Sequence, residues 1–333
     1  MTHQHRRDAR RSCRPSATLA GLALAVLASA CGVPAAPAPA AAPPPVRLTS
    51  GIPGATFHPL GERLAAGYRR VLPALAVEVQ ESPGSVRNVR ALQGGSADLG
   101  FAFADVTYVA FVGRLAEEPR PFDQLRGVAV LQLTPLHLIA RAGLDVRSIA
   151  DLRGKRVGTG PPGSGTALTS DILMRGYGVG PDQVAAEALP FNDAARRLVA
   201  GTLDAAFVSA GYPSESVQIA TRAGAHLVGV EGDAVTRLRT EYPFLRLTFV
   251  PGGTYPGHPD PVPTVGVDSL LLCRAALDED LVYRLTAAFF DVLPTLSTEL
   301  ESLQLMDVAR ASATPIPLHR GAARYYRERE LTR

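Results

Sequence analysis

Two loops carry the residue types that grip a small ligand. The first is Ser50-Gly51-Ile52-Pro53-Gly54-Ala55-Thr56-Phe57-His58, set between an apolar strand pattern and a helix pattern. Glycines let backbone N–H groups approach a ligand closely, and a helix N-terminus favours an anion or polar group. Thr56 adds a hydroxyl, and His58 a ring that meets a carboxylate when protonated. A plain strand-to-helix turn would use the same glycines. The second loop is Gly158-Thr159-Gly160-Pro161-Pro162-Gly163-Ser164-Gly165-Thr166. No Lys precedes Thr166, so this is not a Walker phosphate loop. Ser164 and Thr166 stand where a helix N-cap stands, and capping alone would account for them.

Smaller segments share this geometry. Ser82-Pro83-Gly84-Ser85 opens a helix that includes Asn88, and Ser209-Ala210-Gly211-Tyr212-Pro213 lies between a strand and another helix. Asp105 follows a strand and either caps a helix or meets the ligand. The candidate ligand contacts are therefore Gly54, Thr56, Phe57, His58, Ser85, Asn88, Asp105, Gly163, Ser164, Gly165, Thr166, Gly211 and Tyr212. Catalytic patterns are missing. There is no G-x-S-x-G elbow, and no pair among His58, His137, His226, His258 and His319 has metal-ligand spacing. We expect no enzyme, no metal and no cofactor. His137, inside an apolar strand, reads as a core His. Arg324-Tyr325-Tyr326 reads as a solvated helix face.

The elements that position these loops alternate. Strands are expected at 46–50, 75–80, 98–103, 127–133, 136–141, 155–159, 186–189, 205–209, 226–230 and 264–274. Helices are expected at 59–72, 86–92, 105–112, 164–175, 193–200, 214–223, 233–241 and 278–300. Gly94-Gly95 is a helix stop. This rhythm predicts an α/β fold with parallel sheets, and no repeat of fixed period is visible. Thr134-Pro135 and the Gly/Pro-rich stretch 251–263 bound a middle block. We expect one lobe from 46–134 with 262–333, a second from 135–261, and a ligand cleft between them at strand ends.

The N-terminus reads as an export signal. Arg6, Arg7, Arg10, Arg11 and Arg14 precede an apolar stretch, 17–28, that ends in small residues before Cys31. Signal cleavage is expected after residue 30. Cys31 resembles a bacterial lipid-attachment cysteine, although Ala28 occupies the position where Leu is usual. Ordinary cleavage is the alternative, but the Pro/Ala-rich tether 31–45 suits an anchor. Cys273, in an apolar run, is expected in the core without a disulfide. Of 34 Lys+Arg and 31 Asp+Glu, residues 1–30 hold five Arg and one Asp, which leaves 29 basic against 30 acidic. A nearly neutral body argues against nucleic acid as partner.

Taken in order, the segments resemble the TAXI family of periplasmic solute-binding proteins that serve TRAP transporters. The carrying residues are 54–61, Pro83 to Asp105, Asp151 to Val157, 162–166, Asp204 to Val208 with Ala210-Gly211, Tyr242-Pro243-Phe244, Gly253 to Gly257 and Pro315 to Tyr326. The resemblance spans about 46–329. It implies a type II periplasmic-binding-protein fold, a hinge between two α/β lobes, and capture of a small organic solute such as a carboxylate or amino acid. It also implies delivery to a TRAP permease driven by an ion gradient; with the Cys31 pattern, we expect a monomeric, periplasmic, membrane-anchored lipoprotein. The chain departs from the family pattern at Phe57 and His58, where two Tyr are usual, and at Phe103 and Ala104, where Gln-Ser is common. If Phe103 lines the cleft, the ligand is less polar at that end. A sensory lipoprotein that presents its ligand to a membrane receptor or kinase, and an enzyme on the same fold, are the competing readings.

Overall fold

The computed structural model describes residues 44–51, 56–116, 118–304 and 306–329. The expected signal, Cys31, nearly all of the tether and Gly54 lie outside the described residues.

The chain opens with β1 (Val46–Thr49), α1 (Phe57–Val71), β2 (Val77–Gln80), α2 (Ser85–Gly94) and β3 (Leu99–Phe103). These strands are parallel, with β1 between β2 and β3. Alternating burial along α1 (Leu60, Leu64, Ala65, Tyr68) presses one face onto the sheet. Gly95, in the left-handed conformation at φ 75°, ends α2 where the Gly-Gly pair predicts. Next come α3 (Ala104–Phe111) and β4 (Leu125–Ala140).

A second unit repeats the plan: β5 (Arg156–Gly158), α4 (Gly165–Gly176), β6 (Ala185–Glu187), α5 (Phe191–Val199) and β7 (Ala205–Ser209). Here β5 is the middle strand, parallel to β6 and β7. The repeat extends to side chains. Arg47 on β1 donates from Nε and Nη2 to Asp98 at 2.9 Å each and from Nη2 to Gly95 O at 2.8 Å. Arg156 on β5 does the same to Asp204, at 3.0 and 2.7 Å, and to Gly201 O at 2.8 Å. Burial pushes the Asp98 carboxyl up, and the Arg47 contacts overcome it and hold it below its ordinary value. Hydrogen bonding to Arg156 holds Asp204 well below the carboxylate range. No fixed period reveals this repeat, because the two Arg–Asp separations differ and the loops between them differ in length.

The remainder is α6 (Glu215–Arg222), β8 (His226–Val228), α7 (Asp233–Glu241), β9 (Leu245–Val250), β10 (Val262–Arg274), α8 (Glu279–Glu299), α9 (Glu301–Gln304) and α10 (Arg320–Glu328). The strand order is β2-β1-β3-β10-β4-β7-β5-β6, with β8 on β4 and β9 on β10. Two strands were expected around Thr134-Pro135; one continuous strand, β4, runs through them. It pairs antiparallel with β10 up to Pro135 and with β7 from Leu136 on. Pro135, which has no N–H to donate, falls where the strand changes partner. Strand β9 has no counterpart in the sequence reading.

One apolar layer packs α1, α8 and α10 on the sheet, with Leu48, Phe101, Leu271, Cys273 and Phe289 wholly buried. Tyr325 and Tyr326 belong to it. The expectation of a solvated face there is corrected: Tyr326 is fully buried and donates to Val128 O at 2.8 Å, and only Arg324 turns to acidic partners at the surface.

Candidate functional site

The strand ends of the first unit are locked by Asn88. Its Nδ2 donates to Ser50 O at 2.6 Å and to Phe101 O at 2.7 Å. Its Oδ1 accepts from Thr49 Oγ1 at 2.6 Å and from Ser82 Oγ. Asn88 is fully buried and its hydrogen-bonding capacity is spent, so it fixes the loop ends and offers nothing to a ligand. Ser85 is also committed: its Oγ accepts from Phe103 N–H at 3.0 Å. Phe57 starts α1 and packs its ring 5.6 Å from Phe101 and 5.2 Å from Phe103, centroid to centroid. Thr56 is exposed and His58 half-buried. His58 Nδ1 is itself buried and has no hydrogen-bond partner among the described residues.

The facing loop belongs to the second unit. Ser164 caps α4, accepting from Ala167 N–H at 3.2 Å, as a Ser in that position predicts. Gly163 has φ 71°, a conformation that favours glycine. Gly165 is needed for close approach: a Cβ there would stand 2.5 Å from the Phe103 ring. Thr166 is buried at the start of α4. The two loops touch. Val86 N–H donates to Gly163 O at 3.2 Å, and Thr169 Oγ1 on α4 donates to Asp105 on α3. The structure thus brings Ser85, Phe103 and Asp105 against 163–169, with Phe57 packed behind.

Asp105 is not an N-cap; Phe103 occupies that position and Asp105 lies in the first turn of α3. Burial raises its carboxyl to about 6, against the opposing hydrogen bonds from Thr169 and the Val106 N–H. Thr169 was missed. It stands three residues after Thr166 and so shares its helix face, which was the available signal. Gln132 was also missed. It lies where the β4–β10 register shifts, is 4% exposed, and its Oε1 has no partner among the described residues.

Gly211 and Tyr212 follow β7, exposed and half-buried. Neither touches the loops above through a hydrogen bond. Their loop is backed by a buried relay. Ser214 N–H donates to Tyr255 Oη at 2.9 Å, the Tyr255 hydroxyl lies 3.2 Å from His137 Nε2, and His137 Nδ1 lies 3.2 Å from Val208 O. The carbonyl fixes the proton on Nδ1 and leaves Nε2 to accept from Tyr255. Burial lowers His137 to about 4, so it is a neutral, satisfied core His, as its apolar strand predicts. Tyr212 instead lines a cavity of about 210 Å³ with Arg246, Thr248, Asp268 and Arg310.

Among the described residues no three His, Cys, Asp or Glu are grouped to hold a metal ion. No described helix is long and apolar enough to cross a membrane. The arrangement offers hydroxyls, backbone groups, an aromatic wall and one buried carboxylate at a contact between two units.

The fold has known counterparts. PhnD1 from Prochlorococcus marinus, in complex with methylphosphonate, superposes with a TM-score of 0.52 at 11% identity, over 86% of this chain and 98% of that one. XAC2383 from Xanthomonas citri bound to ATP gives 0.50 at 12% identity, over 85% and 94%. A structure described as a periplasmic transporter gives 0.50 at 15% identity, over 78% and 86%. The likeness is one of fold, the mixed α/β architecture of periplasmic binding proteins. In sequence, the NMT1-like family matches residues 48–329.

Proposed function

The chain belongs to the NMT1-like family, and on that premise we propose that it is an extracytoplasmic solute-binding protein rather than an enzyme. Two lobes, 46–134 with 262–333 and 135–261, close about β4 and β10 on a small organic solute, a carboxylate or amino-acid-like compound. The contact between facing loops carries this reading: Val86 against Gly163 and Asp105 against Thr169 put groups of both units within reach of one molecule. A solute favours closure only by contacting the closed form better than the open one, so both loops matter. Gly54, Thr56, Phe57, His58, Phe103 and Asp105 serve one side. Gly163, Ser164, Gly165, Thr166, Gly211 and Tyr212 serve the other, while Ser85 and Asn88 hold the frame.

The resemblance to TAXI proteins supports the finer assignment. The loaded protein, a monomer without cofactor anchored through lipidated Cys31, hands its solute to a TRAP-type permease. The test is thermal unfolding of the chain without residues 1–30 against carboxylates, amino acids and less polar organic acids. A ligand at 100 times its Kd stabilises by about 2.7 kcal/mol, a shift that is easily seen. No shift from any solute, and no small molecule released from the purified protein on denaturation, would refute the reading.

A further inference from the structure

Beside the crossing strands lies the cavity of about 210 Å³ that includes Tyr212. Its polar wall comes from four separate segments: Tyr212 after β7, Arg246 and Thr248 on β9, Asp268 on β10, and Asp307 and Arg310 around the turn at 308–310. Its apolar wall is β4 around Leu131 and Leu133.

The charges there are unevenly committed. Arg246 Nη1 donates to Asp268 Oδ1 at 2.7 Å. Asp307 is exposed, and its carboxylate accepts from Ala309 N–H at 3.1 Å. Arg310 is different. Its guanidinium makes a long ion pair with Asp268 Oδ2 at 3.9 Å, outside hydrogen-bond range. The side chains of Arg310, Tyr212 and Thr248 make no hydrogen bond to another described residue. Two guanidiniums therefore share the one carboxylate of Asp268, and the Tyr212 and Thr248 hydroxyls line the same cavity.

We propose that this cavity binds a small organic oxyanion, held by the Arg310 guanidinium and the Tyr212 and Thr248 hydroxyls. A guanidinium presents a planar fork of donors that matches carboxylate, sulfonate or phosphonate oxygens. The volume equals that of about seven liquid waters, room for an anionic head and a short chain against Leu131 and Leu133. Tyr212 comes from the β7 side and Arg310 from the C-terminal side, so an oxyanion here ties the two together. The inference goes beyond the solute-binding reading: Tyr212 is the only residue that the two sites share.

The test is titration calorimetry with pyruvate, methanesulfonate and methylphosphonate, one probe for each head group. At least one binds the unaltered chain. Arg310→Gln weakens it by about tenfold or more, and Tyr212→Phe and Thr248→Val each weaken it severalfold. Arg175→Gln, at an exposed pair on α4, leaves binding unchanged. Unfolding midpoints of the unliganded variants close to that of the parent show that the fold is intact. Two results overturn the inference: no probe binding at about 10 mM, or binding that survives Arg310→Gln. If other solutes stabilise the chain while no probe binds, the cavity assignment falls and the solute-binding reading stands. If probes bind through Arg310 and nothing else binds through the loops, the opposite holds.

Discussion

Asp105 and His137 are buried almost completely and titrate in opposite senses. Asp105, raised to about 6 by burial, takes up its proton in the folded chain before it does so in the unfolded one. Its contribution to stability therefore improves as pH falls from about 6 to about 4. His137, lowered to about 4, stays neutral while its unfolded counterpart protonates, so stability declines over nearly the same interval. Each amounts to about 3 kcal/mol at most, at 1.36 kcal/mol per unit. The two offset one another. We predict that the chain's unfolding free energy changes little between pH 4.5 and 6 from these groups, as about half of each shift falls there. Asp105→Asn raises stability at pH 8 and brings out an acid-side decline; a pH-independent gain would refute this. At this scale the sequence was partly legible. His137 could be recognised from its apolar neighbours. Asn88 could not, because four partners from three segments converge on it only after folding. Asp105 was legible as a residue of interest but not as the partner of Thr169, 64 residues away.

Strand ends and helix starts decide how near the two units approach. Gly165 lets α4 meet Phe103, since a Cβ there would sit 2.5 Å from the ring. Gly165→Ala is expected to disfavour the contact between units by about 1–3 kcal/mol and to weaken solute binding accordingly. Trimming the ring in Gly165→Ala/Phe103→Leu restores much of the loss. Equal affinities for all three variants would show that this contact plays no part in binding. The Arg–Asp clamps hold the elements themselves. Asp204→Ala removes two hydrogen bonds from Arg156 and one from its backbone N–H, and is expected to cost about 1–3 kcal/mol in chemical denaturation. Element boundaries within the two repeated units follow closely from periodicity, caps and glycines. Strand β9 did not, although Leu245 to Val250 alternates, because its exposed positions are Leu247 and Phe249 and so the polar–apolar contrast is inverted. The break expected at Pro135 failed for a related reason: a change of strand partner is a tertiary event that removes the usual objection to proline.

At the scale of the whole molecule, alternation of strands and helices predicts an α/β fold, and the sheet bears that out. What alternation cannot reveal is that β10 enters between β3 and β4 and runs antiparallel to both. That insertion sets an order in time. Strand β3 has only β1 as a neighbour until β10 arrives, some 160 residues later in the chain. The unit of β5, β6 and β7 needs nothing beyond residue 209 to complete its own ladders, and β4 lies just before it. A chain emerging from its N-terminus therefore meets the means to finish its middle before it can finish its beginning. Pulse-labelled hydrogen exchange during refolding should protect amides of β5 and β7 ahead of those of β1 and β3; the reverse order would refute this. Residues 46–103 must then wait, with the edge of β3 unpaired, for a strand made some 160 residues later. That makes them the segment on which a chaperone would have most to hold.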